Sequence, residues 1–225
     1  MKFLLKALLA TGLLSMTAAV NAMVLDFESI AAGTIIDDEF LAFGITVSAT
    51  GVGGAPNAAV IFDSNNPTGG DTDLAAPFAP GPGNTLGELS PGNLLILQEN
   101  DTCDANTCGD PDDQGARPAG TIRFDFANAV LINSLDFFDI EGAETGDVVL
   151  YGTSGVLAVF AIPSTGGDRQ WQRLFMNVGG VTAMDINMGG SGAIDNLSVV
   201  IPVPGALLLM LGALAPLGLF RKRAA

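Results

Sequence analysis

Histidine is absent from this chain of 225 residues, and lysine occurs only near the two ends, as Lys2, Lys6 and Lys222. Histidine is the commonest general base in enzymes and the central member of Ser-His-Asp triads, so these mechanisms are excluded. A pair of carboxylates can cleave a glycosidic bond, but among 24 acidic residues some pair is always present. We therefore expect a protein that is not an enzyme.

Basic residues are scarce between the two ends of the chain. Once the five lysines and arginines of the termini are set aside, four arginines stand against 24 acidic residues. Binding to nucleic acid or to anionic lipid needs clustered lysine and arginine, so neither is an expected partner. Cations are the natural partners of so acidic a segment, although acidity also serves solubility alone.

The first 22 residues have the three regions of a secretory signal peptide. Lys2 and Lys6 form a positively charged start, an apolar run occupies 7–14, and the small residues at 20–22 (Val-Asn-Ala) form a cleavage site. An uncleaved N-terminal anchor is the competing interpretation, which the short apolar run disfavours. We predict an exported protein whose folded domain begins at residue 23.

The C-terminal residues 201–225 have three parts in a fixed order. They are a hinge with Pro202, Val203 and Pro204, an apolar run at 206–220, and the basic cluster Arg221, Lys222 and Arg223. At about 1.5 Å per residue, the apolar run is marginal against a hydrocarbon core of about 30 Å. The basic cluster predicts that this end stays on the cytoplasmic side and that the preceding domain lies outside. An ordinary tail anchor is the competing interpretation.

This C-terminal segment resembles the sorting signals of bacterial PEP-CTERM proteins, which membrane proteases called exosortases process. The family's usual Val-Pro-Glu-Pro is Ile-Pro-Val-Pro at 201–204, so the central glutamate is missing, and the Val-Pro-Leu-Pro-Ala variant (VPLPA-CTERM) is a closer match. The resemblance covers about the last tenth of the chain. It implies passage through the export machinery, processing by an exosortase-like protease near the prolines, and release or transfer of the upstream domain to the cell surface.

Cys103 and Cys108 are the only two cysteines. In an exported protein an even cysteine count predicts a disulfide, which here would stabilise chiefly a local turn. The alternative, a metal-binding pair, lacks the histidines or further cysteines that such sites use.

Residues 23–200 are long enough for one domain with a substantial core and have the pattern of an all-β fold. No helical periodicity of useful length is present, and the clearest alternation places Ile122, Phe124 and Phe126 on one face of a strand. About ten or eleven short strands separated by glycine-rich turns predict a β-sandwich, most specifically a jelly roll. The predicted strands are 23–27, 44–48, 58–62, 93–98, 121–126, 130–138, 147–151, 156–162, 171–177, 181–188 and 193–200.

The two ends of this domain resemble those of MAM-type and carbohydrate-binding-module-type jelly rolls. Asp-Phe-Glu at 26–28 opens the domain and Ala-Ile-Asp-Asn-Leu at 193–197 closes it. In those folds the first and last strands lie side by side, and acids on them help to hold a structural calcium ion. The resemblance implies the same arrangement here, whereas the competing interpretation is that Asp26 and Asp195 merely cap strands or turns.

The predicted calcium ligands are five acidic side chains. They are Asp26, Glu28, Asp71, Asp73 and Asp195. Three come from the two ends of the domain, and the other two come from a long loop region at 51–92 that is rich in glycine, proline and aspartate. Loops this long in a compact domain usually carry a function or a ligand, and such loops supply the oxygen ligands that calcium takes.

Taken together, these patterns predict an exported, non-catalytic, calcium-stabilised protein of the bacterial surface or extracellular matrix. Extracellular polysaccharide is a possible partner, and the protein would occupy the inner membrane transiently before it reaches the surface. The main alternative is a lectin-like carbohydrate-binding module with Trp171, the only tryptophan, as a possible glycan contact. A glycoside hydrolase with paired carboxylates is the distant alternative.

Overall fold

The structure is a computed structural model that describes residues 20–202. Most of the predicted signal peptide lies outside the described residues. So do Val203, Pro204, the apolar run and the basic cluster at 221–223, whereas Pro202 is the last residue of the last strand. Within 20–202, no helix has the length and apolar character needed to cross a membrane.

The described chain is all-β, as the sequence predicts, with ten strands and two short 3-10 helices at Leu41–Phe43 and Thr72–Leu74. The strands are β1 (Val20–Leu25), β2 (Ile45–Gly51), β3 (Ala59–Asp63), β4 (Ala79–Pro80), β5 (Asn93–Leu97), β6 (Gly120–Phe138), β7 (Asp147–Gly152), β8 (Gly155–Ala161), β9 (Gln170–Met188) and β10 (Ala193–Pro202).

The long strands β6 and β9 form the centre of the sheet, and each has 19 residues. They pair antiparallel along their length, from Gly120 opposite Met188 to Phe138 opposite Trp171. The sequence predicted two shorter strands in place of each, because the chain is irregular near their middles. The structure instead absorbs those irregularities as shifts of register within continuous strands, the first between Asp125 and Val130.

The remaining strands add to this centre in the order β3-β5-β10-β6-β9-β7-β8, with β1 against β10, β2 against β6 and β4 against β9. The two halves of β6 have different neighbours, because its first half pairs with β2 and its second half with β10. The β4–β9 pair is parallel, whereas β6 is antiparallel to both of these neighbours. The arrangement is consistent with a β-sandwich.

The first and last strands are neighbours, as the jelly-roll resemblance implies. β1 begins at Val20, before the predicted start of the domain at residue 23, and β10 continues to Pro202. The charges of the acids that follow β1 act on Asp195, near the start of β10.

The main hydrophobic core contains the alternating side chains of β6. Ile122, Phe124 and Phe126 are all buried and belong to one cluster with residues of β2, β9 and β10. Full burial of a side chain of this size contributes about 1.5–3 kcal/mol. The period-two alternation therefore predicted the buried face of β6 correctly.

A second, smaller core holds part of the long loop region against the sheet. Leu74 and Phe78 from this region pack with Phe62 of β3 and Phe138 of β6. Trp171 belongs to the same core and is only 2% exposed. Its indole Nε1 donates a hydrogen bond to the carbonyl oxygen of Gly87 at 3.0 Å.

The burial of Trp171 corrects the suggestion that this residue contacts a glycan. Its ring stacks on that of Phe138, with the ring centroids 6.3 Å apart, instead of facing solvent. The polar residues that precede Trp171 in the sequence mark the start of β9 rather than a ligand face.

Candidate metal centre

The structure divides the five predicted calcium ligands between two acidic groups. Asp195 lies near Asp26 and Glu28, whose charges act on its carboxyl group. Asp71 lies beside Asp112 and Asp113 instead, with Asp73 nearby.

Asp195 lies near the start of β10, directly opposite Asp136 of β6. The register between the two strands shifts just after this pair, so the strand is locally irregular here. Asp195 is 2% exposed, and its Oδ1 atom has no hydrogen-bond partner among the described residues. Burial, followed by repulsion from Asp136, Glu28 and Asp26, raises the pKa of Asp195 to about 9.

Asp136 is the neighbour of Asp195 that already has a cationic partner. Arg173 of β9 binds its two carboxylate oxygens in a bidentate pair, with Nε 2.6 Å from Oδ1 and the second guanidinium nitrogen 2.7 Å from Oδ2. Such forked pairs are among the stronger hydrogen-bonded interactions of proteins. Because Arg173 is committed to Asp136, the free oxygen of Asp195 is left without a donor.

Glu28 fixes the turn after β1 against the start of β5. Its Oε1 accepts hydrogen bonds from the backbone nitrogens of Gly92 and Asn93, at 2.8 and 3.0 Å. The side-chain amide of Asn93 in turn donates hydrogen bonds to the carbonyl oxygens of Phe27 and Ile30. The Glu28 carboxylate is therefore held in place by the start of β5.

Asp71, Asp112 and Asp113 form the second group, which we call the Asp113 cluster. Carboxylate oxygens of the three residues lie within 4.8 Å of one another. The backbone nitrogen of Asp113 donates to Asp71 Oδ2 at 2.9 Å. Asp113 Oδ2 accepts hydrogen bonds from the Ser191 hydroxyl at 2.6 Å and from the backbone nitrogen of Gly192.

Asp139, the residue that follows β6, is a buried acid without a counter-charge in the described chain. It is 4% exposed, and its Oδ1 atom has no hydrogen-bond partner there. Burial, followed by the charges of Asp73 and Asp113, raises the pKa of Asp139 to about 8. This carboxyl group therefore belongs to the same region of negative charge as the Asp113 cluster.

Sequence reasoning missed Asp112, Asp113, Asp136 and Asp139 as site residues. The run Asp-Pro-Asp-Asp at 110–113 was a usable signal, since it places several acids in one glycine-flanked loop. Asp136 and Asp139 gave no such signal, because each stands in or next to the apolar end of β6.

The predicted disulfide is confirmed. Cys103 and Cys108 are bonded, with an S–S distance of 2.02 Å, within the loop that leads to Asp112 and Asp113. A metal-binding role for the two cysteines is thereby removed.

Comparisons with known proteins are sparse. No protein-family model and no curated protein matches the chain. One solved structure that resembles it is the enzymatically active domain of bacteriophage CBA120 tailspike protein 4, at 14% sequence identity and a TM-score of 0.32. The match covers 74% of this chain but only 20% of that one, so the chain spans about a fifth of its length.

Proposed function

We propose that this protein is an exported, non-catalytic component of the bacterial surface or extracellular matrix, built as a calcium-stabilised β-sandwich of the jelly-roll type. The acidic, lysine-free domain, the signal-like N-terminus and the C-terminal sorting motif support export. The neighbouring first and last strands support the jelly-roll type.

The observation that carries the calcium proposal is the buried, unpartnered oxygen of Asp195 next to two further acids. A buried carboxylate without a partner is costly, and such groups in proteins are usually paired or bound to a metal ion. The charges of Glu28 and Asp26, from the opposite end of the domain, act on Asp195, and in this proposal the two acids supply further carboxylate oxygens, which calcium prefers as ligands. A calcium ion between them would join the two ends of the folded chain.

Thermal unfolding with calcium and with a chelator tests this site. An ion that binds only the native state at 100 times its Kd adds about 2.7 kcal/mol to the free energy of unfolding. In a domain of this size that corresponds to an increase in Tm of roughly 5–10 °C. Asp195→Asn keeps the shape of the side chain and should reduce the calcium-dependent increase.

Asp101→Asn serves as a matched control, because Asp101 is an exposed acid far along the chain from Asp195 and the change in charge is the same. It should leave the calcium-dependent increase in Tm as it is in the unaltered protein. Equal melting temperatures with calcium and with chelator in the unaltered protein would remove calcium from the proposal.

The proposed sorting signal requires that the chain be cut near Pro202 and Pro204 in a host with an exosortase. Mass spectrometry of the mature surface protein should then find a C-terminus close to these prolines. If surface-exposed protein retains Arg221, Lys222 and Arg223, the segment is a plain membrane anchor.

The lectin-like alternative loses its named contact, because Trp171 is buried in the second core. In the proposal, polysaccharide is therefore the material that surrounds the protein and not a ligand of a defined site. The described residues offer no specific glycan contact that favours a lectin.

A further inference from the structure

The Asp113 cluster joins segments that are far apart in the sequence, and the proposed Asp195 site does not use it. Asp71 comes from the long loop region between β3 and β4, whereas Asp112 and Asp113 come from the loop between β5 and β6. Thr68 ties the two loops further, since its hydroxyl donates to the carbonyl oxygen of Pro111 at 2.7 Å. The loops also approach closely at Gly69, where a Cβ atom would lie 2.6 Å from that of Asp112.

The turn just before β10 supplies the third side of this region. The Ser191 hydroxyl and the backbone nitrogen of Gly192 both bind Asp113 Oδ2, which leaves Asp113 Oδ1 without a hydrogen bond from these groups. A Cβ atom on Gly192 would lie 3.5 Å from the carbonyl oxygen of Asp139. The backbone of Asp139 therefore lies beside the glycine whose nitrogen binds Asp113.

No salt bridge within residues 20–202 reaches the Asp113 cluster or Asp139. The four that occur pair Arg117 with Glu144, Arg123 with Asp125 and Asp185, and Arg173 with Asp136. The remaining arginine of this part of the chain, Arg169, donates its side-chain hydrogen bonds to the carbonyl oxygens of Ala75 and Ala76. The negative charge of the region is left without an arginine partner.

The unpartnered oxygen of Asp139 is the independent sign of a ligand. Asp139 is 4% exposed and lacks any hydrogen-bond partner for Oδ1 in the described residues. The charges that act most strongly on this carboxyl group are those of Asp73 and Asp113. A buried acceptor near further negative charges needs a proton or a cation.

We propose that Asp71, Asp112, Asp113 and Asp139 bind a calcium ion, at a second site that is separate from Asp195. All four side chains are carboxylates in loops or at the end of a strand, and carboxylate oxygens are ligands that calcium takes. Backbone carbonyls and water complete the six to eight oxygens of its shell. The ion cross-links both long loops to the end of β6 and so holds the smaller core closed.

Calcium titration of the chelator-treated full chain by calorimetry tests the site. The unaltered protein should bind two calcium ions per chain. Asp71→Asn should weaken the binding of one ion at least tenfold, and Asp195→Asn should weaken the binding of the other. Asp112→Asn serves as a second variant of the cluster, because Asp112 is half-buried and tolerates the change sterically.

Asp101→Asn is the matched control, since Asp101 is an exposed acid on the loop that also carries Asp112. It should leave both affinities unchanged, and circular dichroism checks that every variant keeps its β structure. If folded Asp71→Asn and Asp112→Asn bind calcium as the unaltered protein does, the second site is wrong. If only Asp195→Asn weakens calcium binding, the Asp195 site stands and the second site is wrong. If only the cluster variants weaken binding, the second site stands and the Asp195 site is wrong. If the unaltered protein binds no calcium, both sites are wrong.

Discussion

The two ends of β6 deal with acidic side chains in different ways. At its start, Arg123 binds Asp125 of the same strand and Asp185 of β9, with nitrogen–oxygen distances of 2.9 and 2.7 Å. At its far end, Arg173 binds Asp136, but Asp139 and Asp195 each keep a buried oxygen without a partner. One strand therefore carries a neutralised end and an end with excess negative charge.

The difference shows how burial decides the cost of a charge. Arg123 and Asp125 are partly exposed, so water and salt screen their charges. Their pairing therefore contributes little to the free energy of unfolding. The far end is covered by the long loops, where an unpaired carboxylate costs several kcal/mol unless a proton or a metal ion compensates it. With four arginines for 24 acids in the domain, the chain has too few internal cations to neutralise the buried end.

Replacement of Arg173 should have the largest effect. Arg173→Ala leaves Asp136, which is fully buried, without its cation, and breaking a buried pair in this way typically costs about 3–5 kcal/mol. Urea unfolding of the variant measures the loss. Removing both charges with Arg173→Met and Asp136→Leu should recover much of it, and a loss below about 1 kcal/mol in the single variant contradicts the contrast between the two ends.

Asp139→Asn should have an intermediate effect whose sign depends on calcium. In chelator, the change removes repulsion from Asp73 and Asp113 and should raise the free energy of unfolding by about 1 kcal/mol, since the unpaired amide donors offset part of the gain. In calcium, the same change removes a ligand and should lower the stability. Melting curves in both buffers check the prediction, and a change of the same sign in both argues against a metal at this end of β6.

Arg123→Ala should have the smallest effect. The pair is partly exposed, with 38% of the Arg123 side chain and 49% of the Asp125 side chain accessible, so we expect a loss of about 0.5–1 kcal/mol. Urea unfolding at low and at high salt measures it, and the loss should shrink as salt screens the pair. A loss as large as that of Arg173→Ala would show that the two ends of β6 do not differ.

Much of the fold was predictable from patterns that are local in the sequence. The alternation of Ile122, Phe124 and Phe126 identified the buried face of β6, since successive side chains of a strand point to opposite sides. The two cysteines of a chain with an export signal predicted their disulfide, and the short strand patterns between glycine-rich turns predicted an all-β class. The neighbouring positions of β1 and β10 followed from the resemblance of the two chain ends to known jelly rolls.

The grouping of the acids was not predictable in the same way. Asp71 and Asp73 were assigned to the shell of Asp195, whereas the structure places Asp71 with Asp112 and Asp113. Which loops meet depends on how strands that are distant in the sequence pair with one another. That register cannot be read from any single segment of the sequence. The burial of Trp171 has the same origin, because the core that contains it includes Leu74 and Phe78 of the distant loop region.

The sequence by itself thus determined the all-β class, the disulfide and the excess of acidic residues. These follow from periodicity, cysteine count and composition, which do not depend on how distant segments pack. Its continuous β6 and β9, its two separate acidic groups and its few buried, unpaired oxygens arise from packing between distant segments. Packing decides which carboxyl groups lose contact with water, and in this acidic chain some of them are left without a counter-charge.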